Sequence, residues 1–166
     1  MELTGNIALT QKDAREAVLS EWYDVYGTDV LRLCWFNLGS RADAEDATQD
    51  TFLKAWRHME RFQGRNQCSV KAWLMRIACN VCRDQFRRSW RKHEVVQDDW
   101  ADFAQASQED RDLILDVMRL PEKYRAVILL FYLQRMTMRE TASILRVSPA
   151  TVSRRLDKAK KMLKCS

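Results

Sequence analysis

A one-sided row of basic side chains is the clearest chemical feature in the first half of the chain. Apolar spacing predicts a long helix over residues 69–91. At about 100° per residue, one arc of about 80° on that helix collects a set of polar side chains. The set consists of Arg76, Asn80, Arg83, Arg87 and Arg91. Solvated arginines usually alternate with acids, so this row resembles a surface that follows a nucleic-acid backbone. The alternative is an ordinary solvated face.

Two short helices near the C-terminus have the pattern of a helix-turn-helix. Thr137 and Glu140 are spaced as a capping box at the start of the first helix. After a short turn, Ser148 caps the second helix and Pro149 occupies its first position. A second helix that is apolar inside and basic outside would lie in the major groove of DNA. The alternative is a basic helical hairpin inside an ordinary bundle.

The outward face of that second helix carries two kinds of side chain that contact DNA. Arg154 can offer two donors to a guanine, while Ala150 and Thr151 can touch thymine methyl groups. The side chains better placed for phosphates are Arg155, Lys158 and Lys161. This face therefore predicts sequence-specific contact with duplex DNA.

A third candidate surface combines an apolar side chain with charges. The helix predicted over residues 42–59 buries one stripe that runs from Ala44 to Met59. Its opposite face holds Asp46, Gln49, Asp50, Leu53 and Arg57. A single exposed leucine is common on protein surfaces. An apolar side chain with a polar rim is also what a helix offers to a protein partner, so this face is a candidate docking surface.

The cysteines and histidines do not form a recognisable catalytic or metal-binding pattern. Cys79 and Cys82 make a lone C-x-x-C, without a second Cys or His pair at zinc spacing. His58 and His93 are accompanied by neither a Gly-rich loop nor other convergent catalytic groups. We therefore expect no enzyme activity, no cofactor and no metal. The five cysteines, with no secretory leader, fit a reducing cytoplasm.

Composition and charge distribution favour a helical protein with two contacts to a polyanion. The 166 residues are 46% hydrophobic and include only four Gly and two Pro. The net charge of +5 is divided between two basic blocks, residues 71–92 and 135–164, which an acidic block over residues 94–116 separates. The longest apolar run, residues 126–133, is far shorter than the roughly 20 residues that span a bilayer. We therefore expect no membrane insertion.

Apolar periodicity and capping residues predict an all-α fold of two small domains. The first domain, residues 1–91, begins with a helix capped by Thr10 and Asp13, and we expect Gly27 to bend or interrupt that helix. Residues 92–106 lack a clear period and are predicted to form a flexible acidic linker. The second domain, residues 107–166, contains the helix-turn-helix, and Pro121 separates its first two helices.

Two blocks of sequence resemble the conserved regions of sigma-70-type transcription factors. Residues 43–56, DAEDATQDTFLKAW, and residues 73–84, WLMRIACNVCRD, look like the second conserved region. Residues 120–159, which begin LPEKYR, are similar to the fourth region. No segment between them is long enough for a structured third region, which is typical of the extracytoplasmic-function (ECF) group. The resemblance implies an ECF sigma factor that binds core RNA polymerase and directs promoter-specific initiation.

The resemblance also implies a role for each of the three surfaces. The face with Leu53 would dock on the coiled coil of the polymerase's largest subunit. The arginine row would hold the non-template strand of the −10 element, with Phe62 as the nearest aromatic for base stacking. The second domain would bind the −35 element as duplex through its helix-turn-helix, where Ser153 stands in place of a frequent basic residue and Ala150 in place of a frequent glycine. The acidic linker would lie in the polymerase's nucleic-acid channel.

Membership in this group would also imply partners in the cell. An anti-sigma factor is expected, together with core RNA polymerase and promoter DNA, and the free chain is expected to be a monomer. The alternative is a stand-alone helix-turn-helix regulator whose N-terminal half senses an effector or dimerises. Such a regulator binds duplex unaided, usually as a symmetric dimer. The Leu53 face and the arginine row favour the sigma factor.

Overall fold

The computed structural model describes residues 10–62, 68–89 and 107–165. The helices of the first domain are α1 (Gln11–Leu38), α2 (Arg41–His58), a 3₁₀ turn (Met59–Phe62) and α3 (Val70–Ser89). Those of the second are α4 (Gln108–Arg119), α5 (Glu122–Ile128), a π-helical turn (Leu129–Leu133), α6 (Met138–Leu145) and α7 (Pro149–Lys164). No strand occurs in these ranges, so the prediction of an all-α fold is confirmed.

Parts of the chain that carry sequence predictions lie outside the described residues. They are the linker at residues 92–106, Arg91, and most of the loop between the 3₁₀ turn and α3, residues 63–67. Among the helices that the structure does describe, none combines the length and the apolar character needed to cross a bilayer.

The helix starts follow the capping residues that the sequence predicts. Thr10 Oγ1 accepts a hydrogen bond from the Asp13 amide at 3.2 Å, and the Asp13 carboxylate accepts one from the Thr10 amide at 2.9 Å. Ser40 Oγ accepts from the Asp43 amide at 3.3 Å at the start of α2, directly after Gly39 has ended α1 in the left-handed conformation at φ 71°. These local hydrogen bonds satisfy backbone donors that a helix leaves free at its first turn.

The expectation that Gly27 interrupts the first helix is wrong. Helix α1 runs without a break through Gly27, which is buried. A Cβ at this position would lie 3.7 Å from ring atoms of Tyr23, so the glycine sits beneath an aromatic ring. A glycine inside a helix costs about 1 kcal/mol relative to alanine. The packing of the long α1 against α2 and α3 offsets that cost, because tertiary contact overrides local propensity.

The core of the first domain lies between α1, α2 and α3. Leu33 of α1 and the α3 residues Leu74 and Met75 are fully buried there. Helix α2 contributes mainly small side chains to this core: Ala44, Ala47, Thr48, Thr51 and Ala55, together with Phe52. The hydroxyls of the two threonines donate to carbonyls one turn earlier at 2.7 Å each, so burying them leaves no donor unsatisfied.

The second domain is built around the apolar segment that the sequence predicts to be central. The first two helices of the domain, α4 and α5, are separated at Leu120 and Pro121, as predicted, and the side chains of Val127, Ile128, Leu129 and Leu130 are buried. The segment then widens into the π-helical turn, where the Gln134 amide donates to the Leu129 carbonyl at 2.9 Å. This turn was not predicted from the sequence.

Candidate nucleic-acid and polymerase interfaces

Helices α6 and α7 form the predicted helix-turn-helix. The Glu140 amide donates to Thr137 Oγ1 at 3.1 Å, and the Thr137 amide donates to Glu140 Oε2 at 2.8 Å, which confirms the capping box. Helix α6 ends at Arg146, which adopts the left-handed conformation at φ 55°. Ser148 then accepts from the Thr151 amide at 3.1 Å and starts α7. The turn therefore spans only residues 146–148.

Helix α7 separates an apolar inner face from a polar outer face as predicted. Val152, Leu156 and Ala159 are buried against the rest of the domain. The side chains predicted to contact DNA lie on the other side. Ala150, Arg154, Lys158 and Lys161 are exposed, and Thr151, Ser153 and Arg155 are half-buried. All seven candidate residues therefore share one face or its flanks.

The guanidinium of Arg154 is held over the first turn of α7. Arg154 Nη2 donates to Thr151 Oγ1 at 3.1 Å, and that hydroxyl lies 2.9 Å from Ser148 Oγ. A long helical side chain leans toward the helix N-terminus, which explains this contact. The N-terminal part of a recognition helix is the part that contacts base edges. Ser148, which the sequence predicts only as a helix cap, is therefore also linked through Thr151 to the Arg154 guanidinium.

The candidate docking face on α2 is exposed as predicted. Leu53 is 53% exposed, and Asp46, Gln49, Asp50 and Arg57 are exposed around it. The helical phase read from the sequence is therefore correct. A shallow cavity of about 150 Å³ lies beside this face. It is lined by Asp50, Leu53, Lys54 and Arg57 of α2 and by Val81, Asp84, Gln85 and Arg88 of α3.

The contribution of α3 to this cavity was missed by sequence analysis. Lys54 of α2 and Asp84 of α3 approach each other to 4.0 Å across the cavity wall. Which residues of α3 lie beside Leu53 depends on the packing of two helices, and no spacing within a single helix reports it. A partner that binds Leu53 would therefore also contact α3.

The predicted arginine row lies along one side of α3 but is not open along its length. Asn80 and Arg87 are exposed, whereas Arg76 and Arg83 are half-buried. Arg76 Nη2 donates to Ser143 Oγ at 2.8 Å, and Arg83 Nε donates to Glu122 Oε1 at 3.0 Å. Both partners belong to the second domain. The row therefore faces that domain, which the sequence did not predict.

Phe62 belongs to a cluster of three aromatic rings. Its ring stacks on Trp73 with centroids 4.7 Å apart and contacts the edge of Trp22 at 5.8 Å. Trp22 and Trp73 contact each other at 5.8 Å as well. Phe62 is half-buried by these contacts, and the tryptophans are half-buried too. Any aromatic surface at this position thus involves Trp22 and Trp73, which sequence analysis had not named as candidates.

The thiols of Cys34, Cys79 and Cys82 meet between α1 and α3, and the surrounding protein raises the pKa of two of them, Cys79 and Cys82. Burial raises the pKa of the Cys79 thiol to about 12. A hydrogen bond to Cys34, together with burial, also raises the pKa of the Cys82 thiol. Thiols of raised pKa are poor nucleophiles and poor metal ligands. Within residues 10–62, 68–89 and 107–165, no group of three or more His, Cys, Asp and Glu side chains is arranged to hold a metal.

Two family models match the chain in the order of its two domains. The Sigma-70 region 2 model matches residues 22–92, and the Sigma-70, region 4 model matches residues 117–163. The ECF RNA polymerase sigma factor SigL of Mycobacterium tuberculosis is 30% identical over 159 residues, which cover 91% of this chain and 89% of SigL. The ECF RNA polymerase sigma factor BldN of Streptomyces coelicolor is 31% identical over 157 residues, 87% of this chain but only 57% of BldN.

The fold is also shared with a solved sigma factor. The structure of the sigma factor RpoE in complex with the anti-sigma factor NepR from Bartonella quintana matches with a TM-score of 0.72 and 23% identity, over 90% of this chain and 95% of that chain. The chain belongs to the sigma-70 family. Within that family it is an ECF RNA polymerase sigma factor, a non-enzymatic protein of promoter-directed transcription initiation. These matches do not favour a stand-alone regulator.

Proposed function

We propose that three surfaces of this sigma factor divide the work of promoter-specific initiation. The exposed face of α2 binds core polymerase, the arginine row of α3 holds the −10 element, and α7 binds the −35 element. The observation that carries this proposal is the placement of two basic surfaces on two separate domains, α3 in one and α7 in the other. Two separated contacts suit a promoter, which presents two separated elements.

Core binding is proposed for the face defined by Leu53 and its polar rim. The partner on the polymerase is the coiled coil of its largest subunit, as the resemblance implied. An exposed leucine surrounded by Asp46, Asp50 and Arg57 has the composition of a small interface centre with a charged rim. The adjacent cavity against α3 gives such a partner a recess to fill.

Recognition of the −10 element is proposed for Arg76, Asn80, Arg83 and Arg87, with Phe62 nearby. The arginines supply positive charge along the backbone of a separated strand, and the Asn80 amide can pair with a base edge. The aromatic cluster of Phe62, Trp22 and Trp73 lies at the end of α3 that precedes this row. The three side chains are only half-buried, so part of this cluster is open to stacking by an unpaired base.

Recognition of the −35 element is proposed for the outer face of α7. Arg154, positioned over the first turn by Thr151, would contact a guanine edge, with Ala150 and Ser153 beside it. Arg155, Lys158 and Lys161 would contact phosphates and fix the register of the helix in the groove. The short turn and the left-handed Arg146 set the angle between α6 and α7 on which this docking depends.

Partners beyond polymerase and DNA are proposed from the relatives. The solved RpoE structure is a complex with an anti-sigma factor, which supports an anti-sigma partner for this chain. We also expect the free chain to be a monomer. A cytoplasmic location is expected because core polymerase and promoters are found there.

The test of the proposed function is whether promoter recognition depends on core polymerase. The purified chain is mixed with promoter duplexes selected from a random pool, with and without core polymerase, and binding is followed by fluorescence anisotropy. A sigma factor should select −10 and −35 sequences only when core is present. Equal selection by the free chain, at a symmetric site, would instead support the stand-alone regulator.

A further inference from the structure

The short 3₁₀ turn that carries Phe62 is not held in place by burial. The turn, Met59–Phe62, continues directly from α2, and none of its four residues is fully buried. Its sequence, MERF, contains neither the glycine nor the proline that commonly ends a helix and directs the chain after it. Contacts with other elements must therefore fix the position of this turn, and α1 provides them.

Arg15, near the start of α1, contacts both the end of α2 and the 3₁₀ turn. Its Nη2 donates to the Trp56 carbonyl at 2.8 Å, and its Nη1 donates to Glu60 Oε1 at 3.1 Å. The guanidinium also lies over the Trp56 ring, 4.6 Å from the ring centroid. A cation is favourable there, because the carbonyls of the last turn of a helix carry partial negative charge. The Arg15 side chain is only 28% exposed, so these contacts are partly shielded from water.

The same face of α1 contacts Phe62 two helical turns later. Trp22 follows Arg15 by seven residues, which places both side chains on one stripe of the helix. Trp22 contacts Phe62 edge to face at 5.8 Å, while Trp73 of α3 stacks on Phe62 at 4.7 Å. Phe62 is thus held between α1 and α3, and Arg15 holds the turn that leads into it. Trp73 in turn lies three residues before Arg76, the first side chain of the arginine row.

We propose that Arg15 is a positioning residue for −10 recognition: by tying the turn to α1, it holds the Phe62 ring where an unpaired base can stack on the aromatic cluster. The inference rests on the proposed role of Phe62, through which Arg15 acts. Arg15 precedes residue 22, where the match to the Sigma-70 region 2 model begins, so this contact comes from outside that match. A ring already in place binds a base more tightly, because ordering a mobile side chain subtracts from the binding free energy.

The test uses the full chain in complex with core polymerase, and the non-template single strand of a promoter selected from the random pool. The strand is labelled with fluorescein, and each base of its −10 element is replaced in turn by an abasic site. Wild-type binding should weaken at the position whose base stacks on Phe62. Phe62→Ala should weaken binding of the intact strand about fivefold to 150-fold, and should have no such effect on the strand that lacks this base.

The test variant is Arg15→Gln, and the matched control is Arg32→Gln, which removes the same charge from an exposed position on the same helix. We expect Arg15→Gln to weaken binding of the intact strand about threefold to tenfold relative to the control, through loss of the cation–π contact and the hydrogen bonds beside it. This loss should vanish on the abasic strand and in the Phe62→Ala background. A general loss of stability cannot produce this pattern, because it does not depend on one base.

The outcomes distinguish a failure of this inference from a failure of the proposed function. An equal loss on intact and abasic strands would mean that Arg15 only stabilises the fold, and would overturn the proposal. Wild-type binding by Arg15→Gln, beside a base-dependent defect of Phe62→Ala, would overturn it too, because the ring then keeps its position without Arg15. If Phe62→Ala itself binds every strand as the wild type does, the proposed role of Phe62 is wrong, and the positioning role of Arg15 is overturned with it.

Discussion

The polymerase-facing role of Leu53 can be tested by replacing it with aspartate. Burying a whole leucine side chain contributes about 1.5–3 kcal/mol. Because 53% of Leu53 is exposed in the free chain, docking can recover only about half of that, about 0.8–1.5 kcal/mol. A carboxylate left without a partner in the interface costs about 1–3 kcal/mol more. The two effects together, about 2–4.5 kcal/mol, predict that Leu53→Asp weakens core binding about 30-fold to 2,000-fold.

The assay is titration of the fluorescently labelled chain with core RNA polymerase, beside thermal melts of each variant. Leu113 of α4 is 54% exposed and provides a matched control, since Leu113→Asp makes the same change outside the docking face. Both variants should keep the wild-type free energy of unfolding within about 0.5 kcal/mol, as exposed substitutions usually do. A melting temperature many degrees lower for Leu53→Asp would mean that the leucine is core. Unchanged core affinity would mean that this face does not dock.

The remaining predictions concern DNA, the core and the thiols. Arg154→Ala should cost about 1–3 kcal/mol on the preferred −35 site and relax preference at one base pair, measured by binding to single-base variants of that site. Lys161→Ala should weaken binding to all DNA sites alike and reduce the dependence of log binding constant on log salt concentration by about 1. If instead Lys161→Ala relaxed base preference and Arg154→Ala weakened all sites alike, the outer face of α7 would be rotated from the one proposed. Leu74→Ala should lower the free energy of unfolding by about 2–5 kcal/mol in urea titrations, because the side chain is fully buried; a smaller loss would mean a looser core. Because the pKa of Cys79 is raised to about 12, its alkylation rate should keep rising through pH 10, where a thiol of ordinary pKa, about 8.5, has levelled off. A plateau near pH 9 would refute the raised pKa.

Much of this fold follows from short-range sequence patterns. The capping boxes at Thr10 and Thr137 each depend on residues three positions apart, and both are present. The exposure of Leu53 follows from the phase of a single helix. Gly27 shows the limit of such reasoning: local propensity favours a break there, but packing along α1 keeps the helix intact.

Contacts between distant parts of the chain could not be predicted in this way. Arg76 meets a residue 67 positions away, and Arg83 meets one 39 positions away. No periodicity within one helix encodes such pairs, because they depend on how the two domains approach each other. The π-helical turn at Leu129–Leu133 could not be predicted either. This segment is apolar on nearly all sides, so its sequence does not indicate how many residues each helical turn contains. The sequence identified the candidate surfaces but not what covers them.

The central claim is that the arginine row of α3 holds the −10 strand once the promoter opens. Arg83→Ala/Arg87→Ala removes two of its charges, and Arg32→Ala/Arg119→Ala removes two exposed charges elsewhere as the control. The measurement is permanganate footprinting of the −10 thymines in the complete complex with core polymerase, at physiological salt. Core binding and −35 duplex binding should be intact in both variants, because neither surface is altered.

We predict that the −10 thymines stay unreactive with Arg83→Ala/Arg87→Ala and react normally with the control. A promoter with a pre-melted −10 bubble should partly restore the open complex of the double variant. Its −10 bases are already unstacked, a step that costs roughly a few kcal/mol on closed DNA. Normal thymine reactivity in the double variant on closed promoter DNA would contradict the claim and leave the row as a surface for the second domain alone.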